Sequence, residues 1–162
     1  MKEILLNILR WKLKKLAQLT IWKYRPGIIG ITGSVGKTST KLAIAAVLGS
    51  ERRVRATAGN FNGDIGLPLA ILGEWRVSDL ALISRESPPG AYFFRKTFFF
   101  TKVIFRGMFQ FLFKTNYPEI LVLEYGIDHP GDMKYLLTIA RPNISVITAI
   151  GDIPVHVEFF SG

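Results

Sequence analysis

Hydrophobic positions in the first 25 residues recur at helical spacing. Leu5, Leu6, Ile8, Leu9, Leu13, Leu16, Ala17 and Leu19 fall on one side of a helix, while Asn7, Arg10, Lys14, Lys15 and Gln18 fall on the other, with Lys12 the exception. The pattern predicts an amphipathic helix over 1–25, closed by the turn Tyr24-Arg25-Pro26-Gly27. A short β-branched run at 28–32 predicts a buried strand, and a glycine-bounded loop follows at 33–36. Residues 37–48 have helical composition and stop at Gly49. A second short strand is expected at 54–57, a Gly/Asn/Asp loop at 58–66, and a short helix at 67–72 with Pro68 in its first turn. Residues 73–90 read as irregular, with a firm break at Ser87-Pro88-Pro89-Gly90. A Phe-rich helix over 91–114 ends before Tyr117-Pro118. A strand at 120–125, a helix at 131–140 stopped by Arg141-Pro142, and a strand at 144–150 complete the pattern. Strand and helix alternate throughout, so the expected class is α/β, a three-layer domain with a mainly parallel sheet behind one N-terminal helix.

The Phe-rich helix has its own pattern. It holds nine of the twelve phenylalanines. Arg95, Lys96, Lys102, Arg106, Gln110 and Lys114 share one arc, most of its apolar residues fill the rest, and Phe99, Val103 and Phe113 fall inside the polar arc. Neither basic helix is a good membrane span, because charges interrupt both before 18 apolar residues accumulate. The N-terminus is no signal peptide, since Arg10, Lys12, Lys14 and Lys15 break its apolar run.

Charge sharpens this picture. The 162 residues carry a net charge of +9, yet residues 1–25 hold seven basic residues against one acid, and 91–114 hold five against none. The remaining chain has 9 basic and 11 acidic residues, so the body is not the footprint of a nucleic-acid-binding core. Two readings of the basic helices stay open: helices that cover a core or a partner domain, or a peripheral contact with an anionic membrane surface through 1–25 and 91–114. Cysteine is absent, which excludes a disulfide scaffold, a Cys-ligated zinc site and a thiol nucleophile.

The strongest chemical signal is Thr32-Gly33-Ser34-Val35-Gly36-Lys37-Thr38, between a predicted strand and a predicted helix. Glycines let backbone N–H groups turn toward phosphates, and the helix N-terminus adds free donors and a positive dipole end. Gly33, Ser34, Val35, Gly36, Lys37, Thr38 and Ser39 are therefore the candidate nucleotide-phosphate residues. Lys37 would reach the β/γ-phosphates, and the Thr38 hydroxyl would ligate Mg²⁺. The spacing is the shorter G-x-x-G-K-T rather than the strict eight-residue form, because Ile31 stands where the first glycine would be.

The variant T-G-x-x-G-K-T-S resembles the phosphate loop of the Mur ligases, ATP-dependent ligases of peptidoglycan precursor synthesis. Five further stretches resemble that family in the same order. Thr57-Ala58-Gly59-Asn60-Phe61-Asn62-Gly63-Asp64-Ile65-Gly66-Leu67-Pro68 is similar to the T-x-G-N-x-N-x-x-I-G-x-P loop of its D-alanyl-D-alanine-adding branch. Glu124-Tyr125-Gly126 resembles E-[LM]-G, and Asp128-His129-Pro130-Gly131-Asp132 resembles N-H-x-G-E. Arg141-Pro142 through Val146-Ile147-Thr148 resembles its R/K-P strand, and His156-Val157-Glu158-Phe159-Phe160 resembles H-L-E-x-F.

The resemblance implies a central ATP-binding domain over 26–162, with ATP and Mg²⁺ as cofactors. It implies phosphorylation of a carboxylate by ATP and attack of an amine on the acyl phosphate, the partners being a UDP-muramoyl peptide and D-alanyl-D-alanine. Lys37, Glu124 and His156 become the expected catalytic residues, and the expected metal ligands are Thr38 for a first Mg²⁺ and Glu124 with His156 for a second. Thr57, Asn60, Asn62 and Asp64 are the expected substrate-side loop, and His129 is expected to orient its loop. The family's nucleotide-sugar-binding and amine-binding domains are not expected within these residues. The run 155–162 follows a strand without a closing helix, so the expectation is a domain incomplete at its C-terminus and inactive alone. The expected location is cytoplasmic, at or near the inner membrane face. Two alternatives stand beside this: a folylpolyglutamate-synthase-like ligase, and a non-catalytic membrane-docked nucleotide-binding module.

Overall fold

The computed structural model describes residues 2–59, 61–83 and 93–151. Its elements are α1 (Lys2–Tyr24), β1 (Gly27–Thr32), α2 (Lys37–Gly49), β2 (Val54–Ala56), α3 (Gly66–Leu72), α4 (Val77–Ala81), α5 (Phe93–Leu112), β3 (Ile120–Glu124), α6 (Asp132–Ile139) and β4 (Ile144–Ile147). The one element the pattern does not predict is α4, whose five residues are too few to show helical periodicity.

The four strands form one sheet in the order β2-β3-β1-β4, and every pairing is parallel. The buried strand β1 aligns with β3 from Gly27 opposite Ile120 to Ile31 opposite Glu124. Alternation along β3 sends Leu121 and Leu123 to one face and Val122 and Glu124 to the other. The first face is covered by α1, α3 and α6, whose Ala17, Leu67, Ile71, Leu136 and Ile139 join Leu121 and Leu123 in one core. The second face carries α2. Each large side chain buried in this way contributes roughly 1.5–3 kcal/mol.

The wholly buried α3 accepts Pro68 because a residue in the first helical turn has no intrahelical partner for its N–H. Two buried tyrosines tie elements to the core: Tyr117 donates to the Ile71 carbonyl (2.7 Å) and Tyr125 to the Ala140 carbonyl (2.8 Å). Burial pushes both phenols above the ordinary tyrosine range, so they remain donors at any physiological pH.

The helix faces differ from the pattern. In α1 the buried residues are Leu13, Ala17 and Thr20, while Leu5, Ile8 and Leu19, expected on the inner side, are exposed. The polar side turns toward neighbours instead: Lys14 and Gln18 bond Thr138 of α6 (2.7 and 2.6 Å). In α5 the buried residues are Phe99, Val103, Gly107 and Gln110, which lie inside the basic arc. Basic residues rim this strip and reach outward along their stems: Lys102 approaches Asp79 (3.9 Å), and the Arg106 guanidinium lies over Trp75 (5.6 Å). The Phe face of α5 points away from the core. No helix among the described residues is long and apolar enough to cross a membrane.

Candidate functional site

The C-terminal ends of β1 and β3 lie side by side, and the chain leaves them in opposite directions across the sheet. Such a switch point in a parallel sheet is where ligands bind. From β1 the chain enters the loop 33–36 and then α2. Gly36 has a left-handed backbone (φ 81°) at the helix N-cap. Gly33 (φ 138°) has a backbone that side chains rarely adopt, and a Cβ there would come within 2.9 Å of the Ala149 carbonyl oxygen. The Thr148 hydroxyl, just past β4, lies 2.5 Å from the Val35 carbonyl and 3.2 Å from the Thr32 carbonyl. The Ser34 amide donates to the Ala149 carbonyl (2.8 Å). The loop is thus held from β4 as well as from β1.

Lys37 folds back over the loop and donates to the Gly33 carbonyl (2.6 Å). Thr38, one residue on, donates to Glu124 Oε2 at 3.3 Å, which joins the loop to the end of β3. Glu124 is 2% exposed. Its Oε1 accepts the Asn62 amide (3.1 Å), and its Oε2 also accepts the Lys41 ammonium (2.9 Å). Lys41 is itself buried and donates a second bond to the Gly59 carbonyl (2.8 Å). One carboxylate therefore gathers α2, the 58–66 loop and β3.

These groups face a cleft of 840 Å³. It is lined by residues 34–39, 61–66, Ile83, Glu124 and Asp128, with polar and apolar walls. The structure brings together Ser34, Val35, Gly36, Lys37, Thr38, Ser39, Asn62, Asp64 and Glu124 at this one cleft. Gly33 lies beneath the loop rather than in the wall. Thr57 does not face the cleft either: it is buried, and its hydroxyl accepts the Glu124 amide (3.0 Å), so it supports Glu124 from behind. Asp64 is drawn toward α1 by an ion pair with Arg10 (2.6 Å). Asn60 and His156 lie outside the described residues. The 128–132 turn is ordered by Asp132, whose Oδ2 accepts the amides of Asp128 (3.0 Å) and His129 (2.8 Å) and lies 3.7 Å from the His129 ring Nδ1. Among the described residues no group of three His, Cys, Asp or Glu converges on one point.

Comparison with known proteins shows what this geometry is similar to. Residues 31–77 match the Mur ligase middle domain. A UDP-N-acetylmuramoyl-tripeptide--D-alanyl-D-alanine ligase of Bacillus subtilis is 33% identical over 86% of this chain, and one of Rickettsia prowazekii is 30% identical over 98%. Along most of its length the chain is similar to Mur ligases, with the middle-domain match confined to residues 31–77. The crystal structure of the MurF ligase from Thermotoga maritima in complex with ADP superposes with a TM-score of 0.59 at 29% identity, over 88% of this chain and 24% of that one. The chain spans 22% and 26% of the two curated relatives' lengths.

The donors fit the groups this family resemblance implies. A helix N-terminus, a left-handed glycine cap and a half-buried lysine resting on loop carbonyls suit a polyphosphate. The Thr38 hydroxyl and the Glu124 carboxylate, converging at 3.3 Å, are the hard oxygen donors that Mg²⁺ prefers. Sequence reasoning missed Lys41 and the role of Thr148. Lys41 stands one turn beyond Lys37 and three residues after Thr38, on the same helix face. That placement was visible, but a lone lysine in a helix ordinarily faces solvent. Thr148 was legible as the end of a family-like strand but not as a support for the loop, because that role depends on β4 lying next to β1.

Proposed function

We propose that this chain is a Mur ligase middle domain and supplies the ATP-phosphate and metal-holding part of a carbon–nitrogen ligase. The proposed acceptor is the carboxylate of a UDP-muramoyl peptide, and the proposed amine is D-alanyl-D-alanine. The observation that supports it is the convergence of Thr38 and Asn62 on buried Glu124, beside Lys37, at the switch point of the sheet. Lys37 and the loop amides would hold and neutralise the ATP phosphates. Mg²⁺, when bound, would neutralise charge on the transferring phosphoryl group. Thr38 would hold Mg²⁺ beside the loop, and Glu124 would hold a second Mg²⁺ with His156, the further ligand proposed from the sequence resemblance. Lys41 and Asn62 keep the Glu124 carboxylate aimed at the loop, and Thr57 fixes its backbone. Asn62 and Asp64 form the wall on the acceptor's side. We place the protein in the cytoplasm, with the inner membrane face as the surface its basic helices meet.

Titration of the chain with Mg-ATP tests the reading. Lys37→Ala is expected to weaken binding at least about tenfold, equivalent to about 1.4 kcal/mol. Glu124→Gln is expected to weaken Mg-ATP more than metal-free ATP. Unchanged affinity in the Lys37 variant would refute the phosphate-loop assignment.

A further inference from the structure

Away from the cleft, the outward surface of α1 and α5 has no role in the chemistry above. Both helices turn inward onto one cluster, α1 through Leu9, Leu13 and Leu16, α5 through Phe99, Phe100 and Val103. They lie side by side and run the same way: Leu16 meets Gly107, and Lys23 and Tyr24 both bond the Gln110 carbonyl (2.7 and 2.9 Å). Their opposite faces therefore look away from the core on the same side.

That side is strongly apolar. On α1, Trp11 and Trp22 are 59% and 67% exposed, next to Ile4, Ile8 and Leu19. On α5, Phe94, Phe98 and Phe105 are 85%, 74% and 71% exposed, one below another along the helix. A contiguous apolar surface on this scale marks an interaction site. Its charge narrows the partner. Lys12 and Lys15 stand exposed on the outward side of α1, and α5 contains no acid. Two copies meeting through this surface would bring like charges together. A nucleic acid would meet rings where it needs cations. A bilayer with anionic headgroups complements both parts: the rings enter the headgroup–acyl boundary, and the lysines stay at the phosphates. The reversed placement of the α5 faces is what exposes the rings.

We propose that the paired outward faces of α1 and α5 form a docking surface for an anionic phospholipid bilayer. It stands apart from the cleft and does not depend on the ligase reading. Two of the three tryptophans lie on this surface, while the third, Trp75, is half-buried and donates to the Leu69 carbonyl (2.9 Å), so fluorescence reports on it directly. The chain is expected to co-sediment with phosphatidylcholine vesicles containing about 30% phosphatidylglycerol, less so as salt rises from about 0.1 to 0.5 M. Brominated lipid is expected to quench its tryptophan emission. The variant Trp22→Glu/Phe105→Glu should bind these vesicles at least about tenfold more weakly, with an unchanged melting curve and unchanged Mg-ATP affinity. Lys12→Glu/Lys15→Glu should weaken binding to phosphatidylglycerol vesicles. Absence of co-sedimentation, equal binding to pure phosphatidylcholine, or a dimer dissociated by Phe105→Glu would each overturn the proposal and leave the phosphate-loop assignment standing.

Discussion

Glu124 is a carboxylate that cannot be left alone. With 2% of its surface exposed, it depends on Lys41 for charge and on Thr38 and Asn62 for its remaining lone pairs. Removing one partner strands the other. Lys41→Met is expected to lower unfolding free energy by roughly 3–5 kcal/mol in urea titration. Adding Glu124→Gln to that variant should recover part of the loss, whereas strictly additive losses would show that the two side chains are not coupled. At this scale legibility followed sequence distance. The phosphate-loop residues were recognisable because their chemistry is local and contiguous. Thr57 was legible as part of a motif but not as a support, since its partner Glu124 lies 67 residues away.

Elements were largely legible, and their orientation was not. Alternation and periodicity place nine of the ten elements, because glycine and proline punctuate the chain and each strand is β-branched. Which face each amphipathic helix buries depends on neighbours that the pattern does not contain. In α5 the inner strip is the narrow Phe99, Val103, Gly107 stripe, and Gly107 is there because Leu16 and Leu72 come within 3.3 Å of where its Cβ would be. The assignment can be tested by thermal or urea unfolding. Leu13→Ala, at a fully buried position of α1, should cost roughly 2–5 kcal/mol, while Phe105→Ala on the outward face of α5 should stay within about 0.5 kcal/mol. Equal losses would place the Phe face inside the fold.

The whole molecule is organised around β1 and β3, which have neighbours on both sides, while β2 and β4 are the edges of the described sheet. Strand order was the least legible property, because parallel neighbours are joined by long crossings and no local signal names the partner. Hydrogen exchange should rank the strands accordingly. The amides of Leu121, Val122 and Leu123 are expected to be the slowest, and those of β4, whose Ile144 and Ile147 are 59% and 60% exposed, the fastest among the strands. Equal protection in β3 and β4 would contradict this order.

The grip of Thr148 on the glycine loop has a consequence for synthesis. The ribosome makes residues 33–38 more than a hundred positions before Thr148, and β1 reaches its two neighbours only after residues 120 and 144. Pairings this distant close late and slowly. A nascent chain that exposes only β1 and α2 therefore holds the motif without the strand that shapes it, and nucleotide cannot assist the early stages of its folding.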